Sequence, residues 1–146
     1  MNFMEEAIKL AQKAYNKGEV PIGAVIVKNG KILAKTHNIK EKTKCSVHHA
    51  EILAILSASK KLRNWRLDDC DIYVTLEPCP MCASAIKQSR IRNVYSALSN
   101  KDKNNVKIIN MIFESDMVNP SVNFINDLSV EKSETLLQKF FGLRRK

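Results

Sequence analysis

The apolar and polar positions of this chain follow periods that change along its length and divide it into helices and strands. Residues 3–17 carry apolar side chains at a period of about 3.6 residues and lead into a glycine, which predicts a first helix. Residues 22–27 and 31–36 are short and rich in apolar residues, and the Asn29-Gly30 pair between them is typical of a tight hairpin. The start of the chain therefore predicts a helix followed by two antiparallel strands.

The middle of the chain predicts a buried helix and then a strand–helix–strand unit. Residues 50–62 are apolar on much of a helical surface, which indicates a largely buried position. Residues 71–76 are typical of a strand, residues 80–87 of a helix started by prolines, and residues 91–97 of a second strand. Strands joined in this way pair in parallel through a right-handed crossover.

The last third of the chain has a weaker pattern. We predict a helix over residues 106–113, a strand over residues 122–125 and an amphipathic helix over residues 130–141. Together these elements predict that residues 1–146 form a single α/β domain. Its expected architecture is a three-layer αβα sandwich on a mixed five-stranded sheet.

Composition narrows the class of protein. The 146 residues include 24 basic and 15 acidic side chains, which leaves a net charge of +9. Such an excess attracts polyanions such as nucleic acid, although a surface decorated with lysine throughout explains the charge equally well. No stretch approaches the roughly 20 apolar residues that span a bilayer, and the first residues do not resemble a secretory signal. We therefore expect no membrane partner and a cytoplasmic location.

Two short motifs, His49-Ala50-Glu51 and Pro78-Cys79-Pro80-Met81-Cys82, carry the candidate chemistry. One imidazole and two thiolates give zinc three protein ligands and leave the fourth position for water, as a catalytic zinc site requires. Each motif precedes or opens a predicted helix, whose N-terminal end favours thiolate over thiol. We therefore predict that His49, Cys79 and Cys82 bind one zinc ion.

Glu51 is the predicted catalytic acid and base. It is not needed as a ligand, so it can take a proton from the zinc-activated water and return protons to the ring nitrogen and leaving amine of a nucleobase. The combination of H-x-E with P-C-x-x-C is the signature of zinc-dependent nucleobase deaminases. The alternative is a structural zinc site that recruits His48 or Cys45 as a fourth ligand, but such a site has no use for Glu51. Otherwise Cys45 and Cys70 are ordinary thiols.

The flanks of these motifs resemble the bacterial tRNA-specific adenosine deaminases, which belong to the cytidine-deaminase-like superfamily. The resemblance runs over most of the chain, and the flanking segments are more specific than the zinc motif that the whole superfamily shares. Beyond H-A-E and L-E-P-C-P-M-C-A, the matching parts are residues 19–25, Asn38, residues 64–67, 73–76 and 89–91, and the terminal Phe140-Phe141 with its basic tail.

This resemblance implies a cytidine-deaminase-like fold and the hydrolytic conversion of adenosine to inosine at the wobble position of a tRNA anticodon. It implies one zinc ion per subunit, a homodimer with its sites near the subunit interface, and the tRNA anticodon stem-loop as partner. By similarity Asn38 hydrogen-bonds the flipped base, although a residue that ends a strand can also be a simple turn residue. The other residues implied to bind substrate are Val20, Pro21, Ile22, Ala50, Leu76, Glu77 and Pro78.

Three segments depart from the family pattern. Residues 45–48 replace the usual Asp-Pro-Thr-Ala before H-A-E, and residues 96–105 replace a glycine-rich Gly-Ala-x-Asp-Pro-Lys stretch without any glycine. Asn119-Pro120-Ser121 replaces the usual Asn-His-Arg. We expect these departures to affect the pocket entrance and the selection of tRNA rather than the zinc chemistry.

Two other functions compete with tRNA editing. A deaminase of free bases or nucleosides, of guanine or cytosine type, would use the same zinc residues, but a free base offers no phosphates to attract a basic protein. A noncatalytic zinc-containing RNA-binding protein would keep the fold and the metal. Only an enzyme would need the carboxylate of Glu51.

Overall fold

The structure is a computed structural model that describes residues 2–115, 121–128 and 130–144, without the side chains of residues 130 and 140–144. The predictions for Asn119-Pro120, Phe140-Phe141 and the basic tail therefore lie outside the described residues or side chains. The elements in chain order are α1 (Phe3–Asn16), β1 (Gly23–Lys28), β2 (Lys31–His37), α2 (Lys40–Thr43), α3 (Ala50–Leu62), β3 (Cys70–Val74), α4 (Pro80–Gln88), β4 (Asn93–Ser96), α5 (Lys103–Glu114), β5 (Asn123–Ile125) and α6 (Val130–Arg144).

The five strands form one mixed sheet in the order β2-β1-β3-β4-β5. Strand β1 pairs antiparallel with β2 and β3, whereas β3, β4 and β5 run parallel. The hairpin between β1 and β2 turns at Asn29 and Gly30, whose φ angles are 52° and 74°. Two positive φ angles are what a tight turn between twisted strands requires. The predicted mixed five-stranded sheet, its hairpin and its parallel unit are confirmed.

Helices cover both faces of the sheet. Helices α1 and α6 pack together on one face, and α3, α4 and α5 pack side by side on the other. Strand β1 is apolar along most of its length because both of its faces are buried. Ala24 and Ile26 join the core beneath α3, while Val25 and Val27 join the core beneath α1. The predicted αβα sandwich is therefore confirmed.

Local hydrogen bonds explain two differences from the predicted elements. Helix α2 was not predicted because its four residues are polar and none is buried, so it carries no apolar stripe. The buried carboxylate of Glu19 holds it by accepting the backbone N–H groups of Glu41 and Lys42, each at 2.9 Å. Helix α5 starts at Lys103 rather than at residue 106, because Asp102 caps it by accepting the N–H of Asn104. Among the described helices, none has the length and apolar character of a membrane span.

One end of the sheet gathers the parts of the candidate site. Strand β1 begins and β3 ends there, and the backbone N–H of Thr75 donates to the carbonyl of Gly23 at 3.1 Å. In return, the N–H of Gly23 donates to Oγ1 of Thr75 at 3.1 Å. The hydroxyl of Thr36 donates to the Ala50 carbonyl at 2.6 Å and ties the start of α3 to β2. Helices α3 and α4 therefore both begin at this end.

Gly23 marks the closest approach of α1 to the sheet. A β-carbon placed on Gly23 would lie 2.1 Å from the carbonyl oxygen of Ala7 and 2.8 Å from the backbone nitrogen of Ala11. These are helix backbone atoms, which cannot move without displacing α1. The packing of α1 on β1 therefore requires glycine here.

We expect Gly23→Ala to lower the free energy of unfolding by about 3 kcal/mol, because α1 must move away from β1. Gly30→Ala is the matched control, since a β-carbon there meets nothing within 4 Å and only the positive φ angle adds a cost of about 1 kcal/mol. Chemical denaturation of both variants measures the difference. Equal losses would show that α1 accommodates the extra methyl group.

Candidate metal centre and active site

Two of the three predicted zinc ligands occupy equivalent positions in the fold. His49 is the N-cap residue of α3, and Cys79 is the N-cap residue of α4. Cys82 follows three residues later on the first turn of α4, so its sulfur lies on the same side as that of Cys79. Both helices therefore direct their positive N-terminal ends at the same point.

The three side chains converge closely enough to hold one metal ion. Nδ1 of His49 lies 3.7 Å from Sγ of Cys79 and 3.6 Å from Sγ of Cys82. The three ligand atoms all lie within 4.8 Å of one another. In a tetrahedral zinc site, with bonds of about 2.3 Å to sulfur and about 2.0 Å to nitrogen, neighbouring nitrogen and sulfur ligands are about 3.5 Å apart. The observed triangle therefore matches three corners of a zinc tetrahedron.

The electrostatics of the cysteine pair favour an anionic sulfur. A hydrogen bond with Cys82 lowers the pKa of Cys79 to about 5, and the charge of His49 acts in the same direction. The same hydrogen bond, together with burial, raises the pKa of Cys82 above its usual range. A bound cation between the sulfurs stabilises thiolate at both positions. Two thiolates and one imidazole form a donor set typical of zinc.

Glu51 is buried beside these ligands. Its side chain is almost inaccessible, at 3% relative exposure of the residue, and this burial raises the pKa of its carboxyl group to about 7, with a further contribution from the charge of Cys79. Among the described residues, its Oε1 atom has no hydrogen-bond partner. A buried oxygen without a partner is costly unless a ligand completes its hydrogen bonding. The geometry thus provides a proton acceptor next to the metal position.

The structural alternative requires a fourth protein ligand. Within the described residues, His49, Cys79 and Cys82 form the only cluster of potential metal ligands with three or more members. Nδ1 of His48 instead lies 2.8 Å from Oγ1 of Thr43. Three protein ligands leave one tetrahedral position for water, which is the arrangement of a catalytic zinc site.

The residues expected to bind substrate lie on segments that meet at this end of the sheet. Asn38 is buried, its N–H donates to the Ile22 carbonyl at 3.1 Å, and its Oδ1 accepts the N–H of Lys40 at 3.0 Å. The end of β2 is thereby joined to the segment before β1. The structure places Val20, Pro21 and Ile22 before β1, Asn38 after β2, Ala50 at the start of α3, and Leu76, Glu77 and Pro78 between β3 and Cys79.

Two asparagines that the sequence did not indicate reach this site from distant elements. Nδ2 of Asn105 on α5 donates to Oε2 of Glu77 at 2.7 Å and to the Pro78 carbonyl at 3.0 Å. Nδ2 of Asn126, after β5, donates to Oε1 of Glu77 at 2.8 Å. Asparagine in a polar segment is typical of turns and surfaces, so no local pattern distinguishes these two.

Comparison with known proteins agrees with this site. Residues 1–98 match the family described as the cytidine and deoxycytidylate deaminase zinc-binding region. The tRNA-specific adenosine deaminase of Bacillus subtilis (strain 168) is 43% identical over 145 residues, which cover 99% of this chain and 89% of that protein. The chain belongs to the tRNA-specific adenosine deaminase family. The deaminase therefore carries a zinc-binding deaminase domain, and the three-ligand triangle supplies the donors for its zinc.

Two solved structures resemble the deaminase in backbone and sequence. One comes from biochemical and structural studies of A-to-I editing by tRNA:A34 deaminases at the wobble position of transfer RNA. It superposes with a TM-score of 0.85 at 36% identity and covers 92% of this chain and 98% of that chain. The guanine deaminase of Bacillus subtilis superposes with a TM-score of 0.67 at 34% identity and covers 100% of this chain and 96% of that chain. The deaminase is thus closer in backbone to the tRNA-editing structure.

Cys82→Ser is expected to lose most of the zinc that the wild-type chain binds and to lower Tm, because metal binding and local folding are linked. Cys45→Ser is the matched control, since Cys45 is a free thiol outside the ligand cluster, and it should keep both zinc and Tm. Elemental analysis and calorimetry measure the two quantities. Full zinc content in Cys82→Ser would contradict the ligand assignment.

Proposed function

We propose that the deaminase converts adenosine to inosine at the wobble position of a tRNA anticodon, with His49, Cys79 and Cys82 as zinc ligands and Glu51 as the proton carrier. The observation that carries the proposal is the ligand triangle with a buried, partly unpartnered carboxylate beside it. The family of the chain supplies the substrate class. The reaction consumes one water, releases one ammonia and leaves a carbonyl at C6 of the purine.

Glu51 can perform both proton transfers that this reaction needs. Zinc, when bound by the three ligands, activates water as the nucleophile. The carboxylate of Glu51 accepts the proton released on attack and delivers it to N1 of the ring. A second proton, from the hydroxyl formed at C6, passes through the same carboxyl group to the amine, which leaves as ammonia. Because the side chain of Glu51 is excluded from solvent, the transferred proton stays within the site.

Asn38 is proposed to orient the base. The Lys40 N–H occupies its Oδ1, so the side chain presents the two hydrogens of Nδ2 to an acceptor on the substrate. We propose that the other substrate contacts come from both sides of the pocket. The residues are Val20, Pro21, Ile22 and Ala50 on one side and Leu76, Glu77 and Pro78 on the other. Because two asparagines engage the Glu77 carboxylate, its contact with substrate would be made by the backbone.

The proposed macromolecular substrate is the anticodon stem-loop. The net charge of +9 supports it, because lysine and arginine contacts with phosphates release counterions and add to affinity for RNA but not for a free base. An enzyme with this substrate would act in the cytoplasm, and we propose that location.

Glu51→Gln is expected to reduce turnover of an anticodon stem-loop by about a thousandfold, because the amide cannot accept a proton. Zinc content and RNA affinity should stay unchanged, since glutamine keeps the shape of the side chain. Inosine in digested RNA, elemental analysis and fluorescence anisotropy measure the three quantities, with the exposed Glu5→Gln as control. A noncatalytic RNA-binding protein would show no turnover in the wild type either.

Deamination of free guanine is the second candidate. It is favoured by the 34% identity to the guanine deaminase of Bacillus subtilis across the full chain. Ammonia release from free guanine and cytosine, measured beside inosine formation in the stem-loop, separates the two functions. Turnover of guanine without any reaction on RNA would overturn the leading proposal.

A homodimer is the proposed assembly, and the outer surface of the α3–α4–α5 layer is its proposed interface. Leu56 on α3 and Met111 on α5 are 58% and 74% exposed, and Met81 on α4 lies on the intervening helix. Exposed apolar side chains on adjacent helices are typical of a surface that a partner covers.

Leu56→Glu is therefore expected to convert the dimer into a monomer in light scattering, because it places a charge in the apolar interface. Leu128→Glu is the control, since Leu128 is 47% exposed but lies between β5 and α6. A wild-type chain that is monomeric at micromolar concentration would exclude this assembly.

A further inference from the structure

The carboxylate of Glu77 joins three distant parts of the chain beside the metal centre. Glu77 is 3% exposed, and each of its two oxygens accepts one amide donor, Oε2 from Asn105 and Oε1 from Asn126. Asn105 belongs to α5, and Asn126 follows β5. We call these three residues the Glu77 network. Each oxygen of this buried carboxylate thus has a hydrogen-bond donor, as the burial of a polar group requires.

The network reaches the metal ligands through the backbone. Nδ2 of Asn105 also donates to the Pro78 carbonyl at 3.0 Å, and Pro78 directly precedes Cys79. The N–H of Glu77 itself donates to the carbonyl of Leu98 at 2.8 Å. One side chain, that of Asn105, therefore connects the network to the peptide group before the first cysteine ligand.

The same contacts organise the segment at residues 96–105 that lacks the expected glycines. Oδ1 of Asn126 accepts the hydroxyl of Ser96, and its Nδ2 also donates to Oγ of Ser99 at 3.0 Å. Asp127 accepts both the N–H of Ser99 at 3.2 Å and its hydroxyl at 2.6 Å. Side-chain hydrogen bonds thus fix the conformation of this connection. In a glycine-rich connection, the backbone angles open to glycine would allow the turn without such bonds.

We propose that Glu77 and Asn105 are positioning residues for deamination, which fix the Pro78 carbonyl and with it the pocket wall beside Cys79. This inference rests on the proposed function. Asn105 donates a hydrogen bond to the Pro78 carbonyl, and Glu77 holds Asn105 in place by accepting a second hydrogen bond from the same amide group. Asn126 completes the network at the second oxygen and ties it to residues 96–99. None of the three is a catalytic residue, because each acts through another group.

The donors and acceptors of the network allow a test by reversal of polarity. Glu77→Gln replaces one acceptor oxygen by an NH₂ group. That group faces the NH₂ group of Asn105 or Asn126, so two buried donors meet and neither has an acceptor. Changing either asparagine to aspartate gives this new donor an acceptor again. Glu77→Gln/Asn126→Asp and Glu77→Gln/Asn105→Asp therefore have identical composition and the net charge of the wild type.

Each double variant loses one further contact of the asparagine that it changes: Asn126→Asp loses the donation to Oγ of Ser99, and Asn105→Asp loses the donation to the Pro78 carbonyl. Glu77→Gln/Asn126→Asp keeps the amide of Asn105 and therefore its bond to the Pro78 carbonyl. Glu77→Gln/Asn105→Asp restores the pairing at residue 77 but turns a carboxylate oxygen toward that carbonyl. If the network only stabilises the fold, both double variants should recover kcat/KM equally. If it positions the Pro78 carbonyl, only the variant that keeps Asn105 should recover kcat/KM.

We expect Glu77→Gln to lower Tm and to reduce kcat/KM by about tenfold, the effect of one lost buried hydrogen bond. Both double variants should regain Tm. The variant that keeps Asn105 should return to within about threefold of wild-type kcat/KM, while the other stays about tenfold below it. Zinc content should equal that of the wild type in all variants. The exposed Asn29→Asp in the turn between β1 and β2 is the control for an added carboxylate, because Asp-Gly suits this turn as Asn-Gly does, and it should match the wild type.

Equal recovery of kcat/KM in the two double variants would overturn the proposal. So would wild-type kcat/KM in Glu77→Gln, or losses of activity that follow losses of zinc. The assay uses whichever substrate the wild type turns over, the stem-loop or free guanine. A wild-type enzyme without activity on the stem-loop would therefore refute the proposed function, while unequal rescue among the variants concerns the Glu77 network alone.

Discussion

The site depends on two helices that begin at the same end of one sheet and direct their N-termini at one point. His49 and Cys79 are the N-cap residues of these helices, and Cys82 lies one turn further along. Helix starts carry partial positive charge and unpaired N–H groups, which stabilise anionic sulfur. The sheet topology thus sets both the distances between the ligand atoms and the electrostatic conditions that make the cysteines good ligands.

The sequence allowed the main architecture and the metal ligands to be predicted, because each leaves a local pattern. The interior strand β1 is apolar on both faces, the Asn29-Gly30 turn has positive φ angles, and the cysteine spacing fits one helical turn. Helix α2 and the Asn105 contact leave no such pattern. Both are held by hydrogen bonds to side chains that are distant in the sequence, Glu19 for the helix and Glu77 for the asparagine.

The glycine-free segment at residues 96–105 is held in place by side-chain hydrogen bonds. The expected glycines would form this connection through backbone freedom, whereas here serine, asparagine and aspartate side chains fix residues 96–105. The conformation of this connection is therefore set by side-chain hydrogen bonds rather than by the wide range of backbone angles that glycine allows. Residues that appear to be departures from the family at the level of sequence therefore belong to a coherent set of contacts in the structure.

The buried carboxylate of Glu19 anchors the chain between Asn38 and His49 from a distant position in the sequence. A helix of one turn such as α2 is not stable alone in water. The two hydrogen bonds that Glu19 accepts from its backbone N–H groups therefore help to hold α2 in place. Asn38 lies just before that turn and His49 a few residues after it. Glu19 therefore anchors the stretch of chain between the proposed base-binding residue Asn38 and the metal ligand His49, so a substitution of Glu19 would disturb the connection between them.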